Sequence, residues 1–443
     1  MVPMYDEREP QGAPGTLIQD QSPPATVAAP TGASTERPTK PFSLGNRPAL
    51  TGIRALGISL VLVFHSNFQT LPGSWVALGV FFVLSGFLIT TMLASEQQRT
   101  GRISLSRFYT RRGVRLVPPL LFTVAFLGIY AAIVPIQNAG NRIWGDSAAA
   151  VFYVSDYRSA FGHEPFLGFM AQAWSLAVEE QFYLIWAALF LVALKFGNRK
   201  LAYGLTLFGI AVSAADRVHI VLAAHQWNPY VAGRAYYAFD TRAESLFVGC
   251  LLGLIATGGH LDDWKPWANR VLTALAIAST AVMVWIVATV GLAARSLPLW
   301  WLPISEIASA LIIVYFVVKP KGLGTRALGL PALVLLGNMS YTIYIIHWPI
   351  YVAISPYTVR WSYPVTEAVR LAIILPLAAA SWYLMERPLT RWRRQALESK
   401  RAPVIDSAPH GGGGSEEPLV VAASPASGPI GPPVGRRPTP AIE

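Results

Sequence analysis

The chain has few charged residues and almost no cysteine, and both shortages exclude whole classes of protein. Only 13% of its 443 residues are charged, whereas soluble domains average about 25%. A single cysteine, Cys250, excludes an intramolecular disulfide framework. The chain also lacks C-x-x-C and H-E-x-x-H patterns and any Walker-type or G-x-G-x-x-G loop. We therefore expect no redox centre, no bound metal and no bound cofactor.

Hydrophobic residues, by contrast, are abundant and are gathered into long runs. They make up 53% of the chain, and the mean hydropathy is +0.42. Several runs approach the roughly 20 residues that a helix needs to cross about 30 Å of hydrocarbon. The sequence therefore predicts an all-α, polytopic membrane protein with about ten transmembrane helices. The predicted spans are 49–68, 75–94, 117–136, 174–195, 201–223, 239–256, 270–292, 299–318, 331–352 and 366–385.

Both ends of the chain are rich in proline and poor in large apolar residues. Residues 1–45 contain eight prolines, and residues 402–443 contain nine together with a run of four glycines. Such segments cannot bury enough apolar surface to form a core. We therefore predict disordered cytoplasmic tails at 1–45 and 395–443, on either side of a membrane domain at 46–394.

The formal net charge of +11 would suit a nucleic-acid-binding protein, but the basic residues lie beside the spans. They concentrate in 95–116, 196–200, 257–269, 319–330 and 386–401, whereas the connections on the other side hold only Arg142, Arg158, Arg234, Arg295 and Arg360. Short cytoplasmic loops carry this excess of Lys and Arg. The pattern predicts a multi-pass protein of the plasma membrane with both termini in the cytoplasm and no nucleic-acid partner.

Ionisable residues inside the spans are the first candidates for function, because an unpaired charge in hydrocarbon is costly. Arg54 and His65 lie eleven residues apart in the first span. At 100° per residue they share one helix face, with roughly 16 Å between them along the axis. A histidine satisfied by a neighbouring helix and a snorkelling arginine are the plainer interpretations.

The next two candidate groups lie in the second span and just before the third. Ser85 and Gly86 offer a small surface that favours close helix packing, which is the simpler interpretation of that pair. Arg112 and Arg115 lie three residues apart on one face of a basic segment. Such a pair suits forked hydrogen bonds to phosphate, or anchoring on anionic lipid.

Further polar residues lie in the outer parts of the fourth, sixth and ninth spans. We expect one glutamate of the fourth span to pair with an arginine and the other to orient or deprotonate a histidine. The alternating charges of the sixth span favour an internal salt-bridge cluster. In the ninth span, Pro349 is expected to end or kink the helix. The candidates are Glu179, Glu180, Asp240, Arg242, Glu244, Tyr344 and His347.

Several of these stretches together, in their order and spacing, make the chain resemble the membrane-bound acyltransferase-3 family. Members of this family O-acylate surface sugars, lipids and some secondary metabolites. The resemblance covers residues 46–394. It is carried by Arg54 with His65, Phe81 to Ile89, Phe108 to Pro119, Trp174 to Tyr183, Ser340 to Pro349 and Glu386 to Pro388.

The resemblance implies an acyl-CoA donor on the cytoplasmic side and a hydroxyl acceptor on the other side, on a carbohydrate, glycolipid or similar molecule. His65 matches the essential histidine of the family, Arg54 its paired arginine, and Arg112 and Arg115 its cytoplasmic R-x-x-R. Some members carry an additional esterase-like extracellular domain, which we do not expect here.

These matches give a mechanistic hypothesis with two alternatives. His65 accepts the proton of the acceptor hydroxyl, because a neutral imidazole with a pKa near 6.5 suits general-base catalysis near pH 7. Glu180 or Glu179 steadies the imidazolium, and the three arginines, with Ser85, hold the donor. An acyl-histidine intermediate is one alternative. A transporter or flippase of a sugar or lipid is the other.

Overall fold

The computed structural model describes residues 44–45, 47–133, 139–162, 168–196, 198–261, 265–355, 358–389 and 391–392. Within these ranges every regular element is helical. Apart from residues 44 and 45, the two predicted disordered tails lie outside the described residues.

Fourteen α-helices and two π-helical turns make up this part of the chain. One π-helical turn, Leu297–Trp301, leads into α11, and the other, Trp382–Glu386, follows α14. The helices are α1 (Pro48–Ser66), α2 (Val76–Thr100), α3 (Leu105–Ile133), α4 (Ala139–Val151), α5 (Ser155–Phe161), α6 (Ala173–Phe196), α7 (Arg199–Ala223), α8 (Pro229–Tyr237), α9 (Phe239–Thr257), α10 (Pro266–Thr289), α11 (Leu302–Val318), α12 (Leu323–Leu328), α13 (Pro331–Ala353) and α14 (Tyr363–Ser381).

Nine of the described helices, counted with their adjoining π-helical turns, are long and apolar enough to cross a membrane. They correspond to nine of the ten predicted spans. The remaining span, 239–256, coincides with α9 but carries three ionisable residues within its first six positions. Helix α9 is nevertheless almost wholly buried and packs against α2 and α7. The predicted all-α membrane architecture is therefore confirmed.

Helix α3 begins a dozen residues before the predicted third span. The sequence separated a basic segment from a span that starts at residue 117, but one helix runs through both, from Leu105 to Ile133. Pro118 and Pro119 lie inside it. They remove only the two hydrogen bonds that their missing N–H groups would donate four residues back. Arg112 and Arg115 therefore belong to the membrane helix itself.

Glycines let two pairs of helices approach closely. A Cβ atom at Gly86 would collide with the Leu246 carbonyl oxygen, and one at Gly249 with the Val83 carbonyl oxygen, so α2 and α9 touch backbone to backbone. The predicted packing role of Gly86 is confirmed. In the same way a Cβ atom at Gly337 would collide with the carbonyl of Thr51, which brings α13 against α1. Small residues at contacts of this kind are typical of membrane helices.

Gly249→Ala is expected to lower the melting temperature of the detergent-purified protein, because the added methyl group must push α9 away from α2. Overpacking of this kind costs about 1–3 kcal/mol. Gly204→Ala is the matched control, since Gly204 also lies within a helix but has open space where its Cβ would lie. Equal melting temperatures for the two variants would contradict the close contact.

Candidate active site

Two histidines from different helices meet at one level of the bundle. His65, near the end of α1, and His347, near the end of α13, have Nδ1 and Nε2 respectively 3.1 Å apart. His347 is fully buried, whereas His65 is partly exposed. The ring of Trp348 packs edge-on against His65, with 4.9 Å between ring centroids. We call His65 and His347 the histidine pair.

The hydrogen bonds around the histidine pair define its tautomers. His347 Nδ1 lies 2.6 Å from the Tyr344 carbonyl oxygen, which only accepts, so this nitrogen carries the proton. In the neutral ring Nε2 is then an acceptor, and His65 Nδ1 must donate to it. His65 Nε2 therefore keeps a free lone pair. The network assigns the basic atom of the pair to the more exposed histidine.

Tyr344 connects α13, the helix that carries His347, to the start of α6. Its hydroxyl donates to the Gln172 carbonyl oxygen at 2.7 Å and lies 2.6 Å from the Ser175 hydroxyl. Its carbonyl holds His347. Tyr344 therefore acts on the site by positioning α13 and the His347 ring.

A second group of polar side chains lies at another level of the helix bundle. Arg54 donates from Nη2 to the Ser340 hydroxyl at 2.9 Å, and the Arg112 guanidinium lies 3.3 Å from the centre of the Tyr183 ring. The hydroxyls of Ser85 and Tyr183 are hydrogen-bonded to each other. We call this group, drawn from α1, α2, α3 and α6, the arginine cluster; its members are Arg54, Ser85, Arg112, Arg115, Glu179, Glu180 and Tyr183.

The two levels are separated by about two helical turns. His347 lies seven residues beyond Ser340 on α13, or roughly 10 Å along the axis. On α1 the distance from Arg54 to His65 is eleven residues, roughly 16 Å. The separation along α1 is larger than that along α13 because the long Arg54 side chain extends along the helix axis to contact Ser340. The prediction that Arg54 and His65 share one face is confirmed, since both face α13.

The glutamates of α6 lie with the arginines and not with the histidines. The charge of Glu179 interacts with Arg112 and Arg54, and that of Glu180 with Arg112. The sequence placed them at histidine depth because it took the start of α6 as the membrane surface. Gln172, just before α6, donates to the Ile345 carbonyl at 2.7 Å, so α6 starts at the level of the histidine pair.

The residue that contacts His65 is consequently different from the one expected. Its side-chain hydrogen-bond partner is His347, in addition to the backbone of Val61 in the same helix. Glu180 instead lies in the arginine cluster, with one buried carboxylate oxygen that has no hydrogen-bond partner among the described residues. A direct contact through which Glu180 would orient His65 is therefore a wrong prediction. His347, which the sequence left as a secondary candidate, takes that place.

Two residues at this level were not singled out from the sequence: Tyr183, a member of the arginine cluster, and Glu386, which interacts with two of its arginines. Tyr183 joins Ser85 to Arg112. Glu386 lies in the π-helical turn after α14, and its charge interacts with both Arg54 and Arg115. Their only signal in the sequence was membership in two of the stretches that carry the family resemblance.

The charges of α9 are divided between a buried cluster and an exposed ion pair. Glu244 pairs with the buried Arg217 of α7, whose Nε also donates to the Pro298 carbonyl oxygen at 2.7 Å. Asp240 is exposed and pairs with Arg234 at 2.6 Å. Arg242 is fully buried between the rings of Phe82 and Tyr236. The predicted internal cluster therefore holds for Arg242 and Glu244, whose charges interact with each other and with those of Arg217 and Glu306 of α11. Asp240 lies outside it, because its partner Arg234 comes from α8.

Glu244→Gln is expected to destabilise the protein by about 3–5 kcal/mol, because it removes the hydrogen-bonded ion-pair partner of the buried Arg217. Thermal unfolding of the detergent-purified variant measures this loss. Asp240→Asn removes an exposed ion pair from the same helix and is expected to shift the midpoint little. An unchanged midpoint for Glu244→Gln would contradict the role of the buried pair.

Comparison with known proteins extends the similarity over most of the chain. Residues 47–387 match the family model Acyl_transf_3, described as an acyltransferase domain. The O-acetyltransferase OatA of Staphylococcus aureus is 29% identical over 379 residues, covering 80% of this chain and 59% of the relative. The peptidoglycan O-acetyltransferase OatA of Listeria monocytogenes is 28% identical over 358 residues, covering 78% and 56% respectively.

The chain thus spans less than two thirds of the length of these relatives. No solved structure matches it. The family model nevertheless covers both levels of the site, from Arg54 to Glu386, and every apolar helix that contributes to them. The protein is therefore a membrane-embedded member of the acyltransferase-3 family.

Proposed function

We propose that this protein is an integral-membrane O-acyltransferase. It moves a short acyl group, acetyl in the first instance, from acyl-CoA to a hydroxyl of a carbohydrate or glycolipid of the bacterial cell envelope. The observation that carries the proposal is the histidine pair, in which His65 keeps a free lone pair. His347 of the pair lies roughly 10 Å along α13 from Ser340, which accepts a hydrogen bond from Arg54 of the arginine cluster. The proposed base, His65, and the proposed phosphate-binding group, the arginine cluster, therefore belong to the same helix bundle.

The proposed reaction begins with deprotonation at His65. Nε2 of His65 takes the proton of the acceptor hydroxyl as its oxygen attacks the thioester carbonyl carbon. The carbon–sulfur bond then breaks, and the imidazolium returns the proton to the departing CoA thiolate. Throughout, His65 Nδ1–H donates to His347 Nε2, which keeps the ring oriented and its other nitrogen available. Atoms and charge balance without any further reagent.

The arginine cluster is the proposed site of the CoA phosphates. Arg54, Arg112 and Arg115 bring three guanidinium groups together, and phosphate is the anion that their forked donors fit best. Glu179 and Glu180 limit their mutual repulsion before the donor binds. The pantetheine arm then covers the distance to His65. The basic residues beside α2 and α3 support donor entry from the cytoplasm, because short cytoplasmic loops are enriched in Lys and Arg.

The acceptor is proposed as a class, since the chain matches little more than half of each relative. The name of the Listeria relative specifies peptidoglycan, which makes a cell-wall sugar hydroxyl the first acceptor to test. Two independent features favour transfer over transport: the base assigned to His65 and the family membership. Nothing in the comparisons favours a transporter.

An acyl-histidine route uses the same atom differently. In that route His65 Nε2 attacks the thioester, CoA leaves, and the acceptor then takes the acyl group from the ring. Ping-pong kinetics, with parallel lines in a double-reciprocal plot, would support it. We propose direct transfer, for which the lines intersect.

Arg112→Gln is expected to raise the KM for acetyl-CoA about 10–100-fold, with a smaller effect on the maximal rate. A charge-assisted hydrogen bond to phosphate is worth about 1.5–3 kcal/mol. The assay follows radiolabelled acetyl groups from acetyl-CoA into alkali-labile esters in membranes that contain the protein. Arg102→Gln, an exposed arginine ahead of α3, is the control. An unchanged KM for Arg112→Gln would contradict the proposal that the arginine cluster binds the donor.

A further inference from the structure

A basic pocket lies at the start of α10 and the end of α11, formed by residues that belong to neither the histidine pair nor the arginine cluster. Its cavity measures about 830 Å³, within the range of about 300–1,000 Å³ that ligand sites occupy. Arg270 of α10 and Lys319 and Lys321, which follow α11, supply its charge.

The other wall of the pocket is apolar and faces outwards. Ala274 and Ile277 continue the pocket along α10, and Val318 lines it from α11. Ile277 is 67% exposed, and only 28% of the apolar span of α10 is buried inside the protein. Helix α10 is thus a lipid-facing helix. From Arg270 to Ile277 the pocket changes from cationic to apolar over roughly 10 Å.

The pocket lies on the face of the bundle where α1 begins. Lys321 comes two residues before α12, and a Cβ atom at Gly52 of α1 would collide with the carbonyl of Leu328, the last residue of α12. The distribution of basic residues assigns this face to the cytoplasm. The cytoplasmic leaflet carries the anionic phospholipids that juxtamembrane cations attract.

We propose that this pocket binds an anionic glycerophospholipid, with its phosphate on the three cations and an acyl chain along α10. A free phosphate or nucleotide would use the cations but not the exposed apolar wall. Three positive charges suit the two phosphates of cardiolipin better than the single phosphate of phosphatidylglycerol. We therefore expect cardiolipin to bind more tightly than phosphatidylglycerol, and phosphatidylcholine least.

The test is native mass spectrometry of the full chain, purified in a non-ionic detergent and titrated with each of the three lipids. The pocket variant combines Arg270→Gln, Lys319→Gln and Lys321→Gln. At about 1 kcal/mol per cation, it should bind cardiolipin roughly a hundredfold more weakly than the wild type. The matched control combines Arg99→Gln, Arg102→Gln and Arg326→Gln, which removes the same charge from exposed positions and should bind as the wild type does.

Either of two binding results would overturn the proposal, and a third result, from a displacement experiment, would contradict it as well. One is equal binding of cardiolipin and phosphatidylcholine by the wild-type protein, a result that does not depend on whether any variant folds. The other is an equal loss of binding by the pocket variant and the control variant. Displacement of cardiolipin by millimolar glycerol phosphate would instead identify a site for soluble phosphates and would also contradict it.

Discussion

His65→Ala is expected to lower the maximal rate of acyl transfer by about 10²–10⁴-fold, the contribution of a general base. The maximal rate should fall while the KM for acetyl-CoA stays unchanged, because the proposed phosphate site, the arginine cluster, lies about two helical turns from the histidine pair. Initial rates of acetyl incorporation into alkali-labile esters, measured over a range of acetyl-CoA concentrations, separate the two quantities.

The matched control for this variant is His219→Ala. His219 lies on α7, another apolar helix, but its side chain is exposed and belongs to neither level of the site. Its replacement should leave the rate unchanged. A His65→Ala protein that folds and retains wild-type activity would contradict the proposed role of His65 as the general base.

His347→Leu is expected to lower the maximal rate about 10²-fold, because His65 then loses the acceptor that holds its Nδ1–H and keeps Nε2 free. His347→Gln should recover part of that rate, since a glutamine carbonyl oxygen also accepts a hydrogen bond. Because His347 acts through His65, the pH dependence of the rate should move in His347→Leu and return toward the wild-type curve in His347→Gln.

A purely structural role for His347 gives a different result. Both variants would then lose melting temperature and rate together, with no recovery by glutamine and no shift of the pH profile. That outcome would leave the orientation of His65 unexplained and would contradict the assignment of its free nitrogen.

The placement of residues on one helix was predictable from sequence, because helical geometry is local. Eleven residues at 100° each put Arg54 and His65 on one face, and both side chains face α13. Most of the apolar helices were likewise predictable from hydropathy alone.

The depth of a helix and the identity of its neighbours were not predictable, because they depend on tertiary packing. Glu179 was placed too close to the histidine pair since α6 starts inside the protein, at the level of Ile345. The ion pair of Glu244 with Arg217 was not predicted, because Arg217 comes from α7, 27 residues earlier. His65 and His347 are 282 residues apart in the sequence, and no local sequence pattern predicts their contact.

The central claim is that CoA is bound on one face of the membrane and that His65 promotes transfer of its acyl group to an acceptor. Sealed membrane vesicles of both orientations, supplied with radiolabelled acetyl-CoA, test it most directly with the native acceptor in place. We expect alkali-labile label in inside-out vesicles, little in right-side-out vesicles, and none above background with His65→Ala. Equal labelling of both orientations, or full labelling with His65→Ala, would contradict it.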